Sequence, residues 1–287
     1  MNAPTATTAD ARPSADDPNF KAMTAALGAP LPPADSAVVD IFDALQDRAR
    51  GGDLRASCRL ALELQRCSTA RVTEQTASNI EGEIARAERT PDNAVNQLAR
   101  MQSTAQQQGR GCAGLDESHF RHAFDLQLQT ALRDPTARLW FALNPALDPW
   151  NFVNDLERWT VYRQHAMPWL EEAAARGEPA ALIALARVHG DLRRVGPPWP
   201  RFRIADPERF LVYAELMARQ GIRFTAVTRD VARIRNELDA DALRRIDERV
   251  AALHRPDRPP LGTDAVAAAL EQSMRRIPTP GDCAKAQ

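Results

Sequence analysis

Two stretches of the chain share one pattern: residues 52–61 read GDLRASCRLA, and residues 177–186 read GEPAALIALA. In both, a glycine and an acidic residue are followed at the same spacing by an alanine and then by a leucine–alanine pair. A glycine that ends one helix in a left-handed cap, with an acid at the N-terminus of the next helix, produces this order. The small alanine lets the two helices approach closely. The pattern therefore predicts two helical hairpins of the same kind.

Apolar residues recur with helical spacing through most of the remaining chain. Val38, Phe42 and Leu45 mark a first helix, a second begins at Leu54 and ends at Cys67, and residues 77–84 mark a third. Later helices are predicted over residues 94–105, 120–131, 135–143, 150–176, 178–190, 206–220, 225–236, 239–254 and 266–277. Convincing alternation of apolar and polar residues is absent. We therefore predict an all-α chain of antiparallel helix pairs, stacked as a short α-solenoid.

Proline sets the expected domain boundaries. Residues 1–34 hold six prolines, and proline both lacks a backbone donor and restricts its neighbour. Prolines also interrupt residues 256–287. The sequence predicts a disordered Pro/Ala-rich tail over residues 1–34, a helical-repeat domain over residues 35–255 and a C-terminal extension with one short helix over residues 256–287.

The second hairpin carries further spacing signals. After Gly177 come Asp206, Tyr213 with Ala214, and Gln220 with Gly221. Residues 155–221 resemble the Sel-one-like repeat, the short-loop relative of the tetratricopeptide repeat, and residues 36–66 match it more weakly. Phe210 stands where that family prefers alanine, and the connection over residues 190–205 exceeds the family norm. The resemblance implies a scaffold for protein–protein contact with no chemistry of its own.

Charge and hydropathy exclude several classes of protein. The net charge of −1 gives no support for binding nucleic acid. The longest apolar run, residues 180–186, is far shorter than the roughly 20 residues that a membrane-spanning helix needs. The first residues lack a basic start and an apolar stretch, so no signal peptide is visible, although a leader removed earlier would leave the same sequence.

The four cysteines include no C-x-x-C pair, so neither a zinc ribbon nor a redox motif is indicated. Cys58 and Cys67 on one helix lie about 13 Å apart and cannot bond to each other. A Cys67–Cys112 bond would clasp two helix pairs and indicate an oxidising compartment. The alternative is that all four thiols are reduced, with Cys58 buried as a small apolar residue.

Sequence signals for catalysis, metals and cofactors are weak. Residues 109–114 match G-x-G-x-x-G, but a helix rather than a strand precedes them, so a helix cap and loop are expected. His119, His122 and Asp125 would share one face of a helix, yet no fourth ligand is evident, and a solvated polar face is the stronger interpretation. We predict no metal, no cofactor and no enzyme activity; a helical hydrolase with an unrecognised site is the alternative.

Aromatic and arginine side chains give the strongest indication of binding. They concentrate between residues 140 and 203, and Trp and Arg dominate binding hot spots. The alternative is that the tryptophans fill a core and that the proline-rich loop covers it. The predicted binding residues are Trp150, Trp159, Trp199, Arg193, Arg194, Arg201 and Arg203.

The sequence thus predicts a non-enzymatic module that binds a protein partner. We expect it to bind neither nucleic acid nor a membrane. With the Cys67–Cys112 bond and a removed leader, the protein would be periplasmic. One such version is an immunity protein that neutralises a secreted antibacterial toxin, which is an analogy at the level of the fold. With free thiols, a cytoplasmic adaptor is expected.

Overall fold

The computed structural model describes residues 29–87, 92–147, 153, 155–190, 205–254, 260–262, 264, 266–267 and 280–283 of the 287-residue chain. Within these ranges the chain is all-helical and contains no β-strand. The helices, in chain order, are α1 (Val38–Arg50), α2 (Leu54–Arg86), α3 (Asp92–Gln108), α4 (Glu117–Phe120), α5 (His122–Arg133), α6 (Pro135–Leu143), α7 (Leu156–Ala175), α8 (Pro179–His189), α9 (Pro207–Arg219), α10 (Thr225–Glu237), α11 (Ala240–Leu253) and α12 (Pro280–Cys283). The prediction of an all-α fold is confirmed.

Helix α2 differs from its prediction, because it continues through Cys67 to Arg86 where two helices were expected. Thr69, Thr73 and Thr76 stand in the stretch that was expected to break it. Each of their hydroxyls donates to the carbonyl four residues earlier, at 2.8–2.9 Å. These local bonds satisfy the hydroxyls without breaking the helix. The second half of α2 then packs antiparallel against α3, and we call the helical hairpin that residues 70–86 and 92–108 form the arm.

The helix expected over residues 120–131 is divided at Arg121 into α4 and α5. His119 therefore belongs to one helix and His122 begins the next. The helices predicted from residue 135 to residue 254 are confirmed within a few residues, except that α7 begins at Leu156. Of the last predicted helix, Asp264, Val266 and Ala267 are helical, and the remainder lies outside the described residues.

The two matching stretches of sequence form the same turn. Gly52 and Gly177 have φ values of 95° and 77°, and Gly221 forms a third such turn with a φ of 81°. In all three, the glycine N–H donates to the carbonyl three residues back, and the next N–H donates to the carbonyl five residues before it, at 2.8–3.0 Å. This is the Schellman arrangement, in which glycine adopts the left-handed conformation that other residues disfavour. The predicted left-handed caps at Gly52 and Gly177 are confirmed.

The residues that follow the first two turns are also placed alike. Asp53 and Glu178 are the N-cap residues of α2 and α8. Only Asp53 caps its helix with the side chain, which accepts from two backbone N–H groups. The alanines and leucines of the pattern are at most 1 % exposed in both copies: Ala56, Leu60, Ala61, Ala181, Leu185 and Ala186.

A third helix closes each hairpin in the same way. Helix α5 packs on α2, and helix α9 packs on α8. The side-chain amide of Gln129 in α5 donates to the carbonyl of Ala49 beside the first turn, at 3.2 Å. Gln220, which caps α9, donates to the carbonyl of Gly177 at the second turn, also at 3.2 Å. The helices α1, α2 and α5 and the helices α7, α8 and α9 are therefore two three-helix units with similar connections to their glycine turns.

Both ends of the helical domain extend beyond the predicted boundaries. Residues 29–33, expected within the disordered tail, lie along α1 and α2, where their carbonyls accept hydrogen bonds from Arg48, Arg55 and Arg59. Cys283 in the C-terminal extension is fully buried and bonded to Cys58. The packed part of the chain therefore begins before residue 30 and includes residue 283.

Candidate binding surface

From α1 to α10, the connections between helices differ in length between the two ends of the stack. Beyond α10, the short connection of residues 238–239 lies opposite Gly221, and Pro260 and Leu261 of the connection after α11 lie beside Gly221. At one end the connections are short: residues 51–53, Asp134, residues 176–178 and residues 220–224. We call this the glycine end, after Gly52, Gly177 and Gly221. The opposite end, marked by Arg121, Asn144 and His189, we call the insertion end, because the long connections leave there. These are the arm with its flanks, residues 144–155 and residues 190–206.

Polar contacts place the three long connections at the same end. Arg158, near the start of α7, donates to the carbonyl of Arg121 at 2.9 Å and contacts Asp125 at 3.2 Å, so α7 begins beside α5. At the level of the next connection, Gln65 of α2 donates to the carbonyl of Asn144 at 2.7 Å. The N–H of Asp206 donates to the carbonyl of His189 at 3.2 Å, so residues 190–205 leave and return at neighbouring points.

The predicted binding residues fall mainly in these long connections. Trp150, Trp199, Arg193, Arg194, Arg201 and Arg203 lie outside the described residues. The described residues that flank them belong to the insertion end. The structure thus brings the flanks of both predicted stretches to one end of the molecule.

Trp159 is a core residue. Its side chain is 1 % exposed and makes an edge-to-face contact with Tyr162 at a centroid distance of 5.8 Å. The Tyr162 hydroxyl donates to the carbonyl of Ala142, and burial raises the pKa of Tyr162 well above its usual value. For this residue the structure agrees with the alternative that the tryptophans fill a core, so Trp159, which the sequence analysis placed among the binding residues, does not belong to a binding surface.

The root of the arm is held by a covalent bond. Cys67 and Cys112 form the disulfide that the sequence suggested, with a Cα–Cα distance of 5.5 Å. The alternative of four reduced thiols is wrong for this structure, since Cys58 is bonded to Cys283 and no free cysteine remains. The Cys67–Cys112 bond therefore fixes α2 to the loop by which the arm returns.

Charged groups reinforce the same root. The Glu63 carboxylate, 3 % exposed, contacts Arg59 at 2.8 Å and Arg66 at 2.8 Å. Arg66 also donates to the carbonyls of Gln108 and Arg110 in the returning loop. A buried carboxylate between two guanidinium groups is costly to break, because removing either partner leaves an uncompensated charge. The arm therefore projects from a rigid base.

The loop after α3 contains the G-x-G-x-x-G match. Gly111 and Gly114 have positive φ values of 73° and 86°. A Cβ on Gly111 would lie 3.4 Å from the carbonyl oxygen of Ser36, and its own carbonyl accepts from Val38 at 2.8 Å. The motif follows helix α3 rather than a strand and forms a loop, as the sequence predicted. This loop packs against the start of α1, a contact that the sequence did not predict.

Ser118, His119 and Asp116 lie together at the start of α4, but as a helix cap. Ser118 Oγ donates to Asp116 Oδ1 at 2.6 Å, and His119 Nδ1 lies 2.8 Å from the same oxygen. The hydrogen bonds from the side chains of Ser118 and His119 lower the pKa of Asp116 from 3.8 to about 2. A catalytic triad would require the serine hydroxyl to bond the histidine. Here the side chains of Ser118 and His119 both bond the Asp116 carboxylate instead of each other.

The proposed ligand face of His119, His122 and Asp125 does not form. Asp125 pairs with Arg158, and both histidine rings lie near Phe42, with centroid distances of 4.7 Å for His119 and 5.9 Å for His122. Across the described ranges, no group of three His, Cys, Asp or Glu side chains could hold a metal ion. The same ranges contain no helix with the length and apolar character that crossing a bilayer requires.

Buried amide side chains brace the insertion end from within. Gln127 is fully buried; its amide donates to the carbonyl of Asn144 at 2.9 Å, and its oxygen accepts from Ala146 at 2.8 Å. The indole of Trp140 donates to the side-chain oxygen of Gln65 at 3.1 Å. The bonds of Gln127 pair the carbonyl of Asn144 and the N–H of Ala146, which lie where α6 ends and the long connection of residues 144–155 begins.

Comparison of the chain with protein-family models, with curated proteins and with solved structures gives no significant match.

Proposed function

We propose that this protein is a non-enzymatic helical module that binds a protein partner through its insertion end. One observation carries the proposal: from α1 to α10 the three long connections leave from the insertion end, and the connections at the glycine end are five residues long or shorter. Binding residues concentrate on long connections that a rigid scaffold positions. The buried root of the arm and the paired turns at the glycine end supply that scaffold.

Arginine and tryptophan in the long connections are the proposed anchors. Residues 192–203 contain Arg193, Arg194, Arg201 and Arg203 and no acidic residue. Guanidinium groups bind carboxylates in a bidentate manner, and Trp and Arg are enriched in binding hot spots. We therefore expect an acidic surface on the partner, with Trp150 and Trp199 as apolar anchors beside the arginines.

Our second proposal is that the two three-helix units are copies of a Sel-one-like repeat in a short α-solenoid. The supporting observations are the shared sequence pattern, the identical hydrogen bonding at Gly52 and Gly177, and the amide bonds from Gln129 and Gln220. In such an arrangement, stability comes from packing between neighbouring units.

We also propose an oxidising compartment such as the periplasm, because two disulfides close the chain and such bonds persist where thiols are not kept reduced. A periplasmic binder that neutralises a secreted toxin is the more specific form of this hypothesis. Blocking thiols in intact cells before lysis tests the compartment. Four blocked cysteines would place the chain in a reducing environment.

Site-specific photo-cross-linking in the native host tests the binding surface. A photoreactive amino acid is placed at Val153, which is 83 % exposed near the start of α7, and in a separate variant at Arg50, which is exposed near the glycine end. We expect one discrete cross-linked partner from position 153 and none from position 50. Replacing the four arginines of residues 192–203 with serine should abolish the adduct. Equal cross-linking from both ends, or an adduct that survives the serine replacements, would overturn the proposal.

A further inference from the structure

The N-terminal segment of residues 29–33, which we call the strap, is held almost entirely through its backbone carbonyls. Arg48 donates to the carbonyls of Ala29 at 2.8 Å and Pro30 at 3.0 Å. Arg59 donates to the carbonyls of Pro32 at 3.3 Å and Pro33 at 3.0 Å. One segment without regular structure thus occupies four donor positions on two side chains.

Carboxylates on the protein hold two of these arginines in addition to the strap. Asp53 holds Arg48 through two bonds, at 2.7 and 3.0 Å, and Glu63 holds the Nε of Arg59 at 2.8 Å. The Arg59 side chain is 2 % exposed, so its terminal nitrogens are directed at the strap from a buried position. Arg55 adds a bond of 3.3 Å to the carbonyl of Ala29. These three guanidinium groups form a donor row along the start of α2.

The composition of the strap matches this row. The sequence over residues 29–33 is APLPP, and three of its five residues lack a backbone N–H. Such a segment offers acceptors along its length with few donors to satisfy, and proline favours the extended conformation that spaces carbonyls about 3.1 Å apart. The side chain of Leu31 packs against the core, which adds an apolar contact. The strap therefore fits the row as a proline-rich extended segment with an apolar residue between prolines.

We propose that the donor row of Arg48, Arg55 and Arg59 is a binding site for proline-rich extended peptides, which the strap occupies within the same chain. The proposal is independent of the insertion end, because the strap begins beside the glycine end, where Arg48 lies in the last turn of α1 and Asp53 caps α2. A peptide with the strap's sequence competes for the row when the strap is detached.

A cut made after folding tests this site in the full chain. A protease recognition sequence is inserted between Ala34 and Asp35, the oxidised protein is folded, and the chain is then cleaved. A fluorescent synthetic peptide of residues 28–34 is added, and its binding is followed by anisotropy. We expect saturable binding to the cleaved protein as fragment 1–34 is displaced. The uncut protein should bind the same peptide about tenfold or more weakly, because its strap is held at high effective concentration.

Graded variants show whether the arginines are responsible. Arg48→Gln removes two hydrogen bonds from a charged donor to the peptide carbonyls, so we expect it to weaken peptide binding by about tenfold or more. Arg55→Gln removes one long bond and should have a smaller effect. Arg50→Gln is the matched control, since Arg50 bonds Asp47 and Gln46 on the other side of α1. Circular dichroism of each cleaved variant checks the fold.

Three results would overturn the proposal. The first is a cleaved chain that keeps its helical content, loses fragment 1–34 and takes up no peptide. The second is peptide binding that Arg48→Gln and Arg50→Gln alter equally. The third is failure of fragment 1–34 to exchange with excess labelled peptide over several days.

Discussion

Cys58 and Cys283 are bonded to each other although 225 residues separate them. The bond joins the first third of the chain to its last described helix, α12, which packs on α2. Cys58 lies in the buried first half of α2, between the alanine and the leucine of the repeated pattern. The C-terminal extension is therefore fastened to the first of the two three-helix units.

Removing this bond should destabilise the whole chain. We expect the double variant Cys58→Ala, Cys283→Ala to lower the free energy of unfolding by about 2–5 kcal/mol, because the chain-entropy model assigns about 5 kcal/mol to so long a loop. Urea unfolding followed by circular dichroism measures the loss. The Cys67–Cys112 bond closes a shorter loop, so the double variant Cys67→Ala, Cys112→Ala should lower the free energy of unfolding by up to about 4 kcal/mol.

Hydrogen exchange separates the two bonds. Loss of the Cys67–Cys112 bond should raise exchange chiefly in the arm, whereas loss of the Cys58–Cys283 bond should raise it in α12 and in the start of α2. Before either measurement, titration of the unreduced protein in denaturant should find no free thiol. Detection of two or more free thiols would contradict the structure.

A pair of glycine substitutions tests the shared turn. Gly52 has a φ of 95°, so we expect Gly52→Ala to cost about 1–2 kcal/mol, since a side chain disfavours the left-handed region. Gly82 lies within α2, where a Cβ would meet only the end of the Arg86 side chain at 3.8 Å. Gly82→Ala should therefore stabilise the protein by about 0.5–1 kcal/mol. Thermal unfolding of the two variants should shift in opposite directions, and a shift of the same sign in both would be inconsistent with the assigned conformations.

The elements that sequence reasoning found have local causes. A glycine followed by an acid produces a left-handed cap and a new helix within a few residues, so Gly52 and Gly177 could be located without tertiary information. The disulfide between Cys67 and Cys112 could be predicted for a similar reason, because a glycine-flanked cysteine follows a helical hairpin.

The features that sequence reasoning missed depend on distant parts of the chain. The partner of Cys58 is set by where the C-terminal extension packs, which no local pattern specifies. Trp159 was predicted at a binding surface, but tryptophan is favoured both in cores and in interfaces, and only packing against Tyr162 shows which applies. The strap was missed because arginine donors that meet backbone carbonyls leave no pattern of residue types at fixed spacing.

The buried amide of Gln127 should be essential to the insertion end. We expect Gln127→Leu to cost about 2–4 kcal/mol, because it preserves the volume but leaves the N–H of Ala146 without its acceptor and the carbonyl of Asn144 with one donor fewer. Chemical denaturation measures the loss. Gln129→Leu is a milder control, since Gln129 is only half-buried and donates a single 3.2 Å bond to Ala49. Its oxygen also accepts from Ser57 at 3.3 Å, but that hydroxyl has the carbonyl of Leu126 as a second acceptor at 3.1 Å. A cost for Gln127→Leu no greater than that of the control would show that the amide network contributes little.

The cap at the start of α4 gives a prediction for acid. The pKa of Asp116 is lowered to about 2, with the hydrogen bond from Ser118 as the largest cause, followed by that from His119. A depressed pKa means that the folded state favours the carboxylate. Its contribution to stability is then fully present above the unfolded value near 3.8 and is lost as the pH falls through about 2. We expect the carboxyl ¹³C resonance of Asp116 to titrate with a midpoint of about 2, and Ser118→Ala to raise that midpoint toward 3.8. Ser103→Ala, an exposed serine of α3, should leave it unchanged. A midpoint near 3.8 in the unmodified protein would show that the side chains of Ser118 and His119 do not bond the carboxylate in solution.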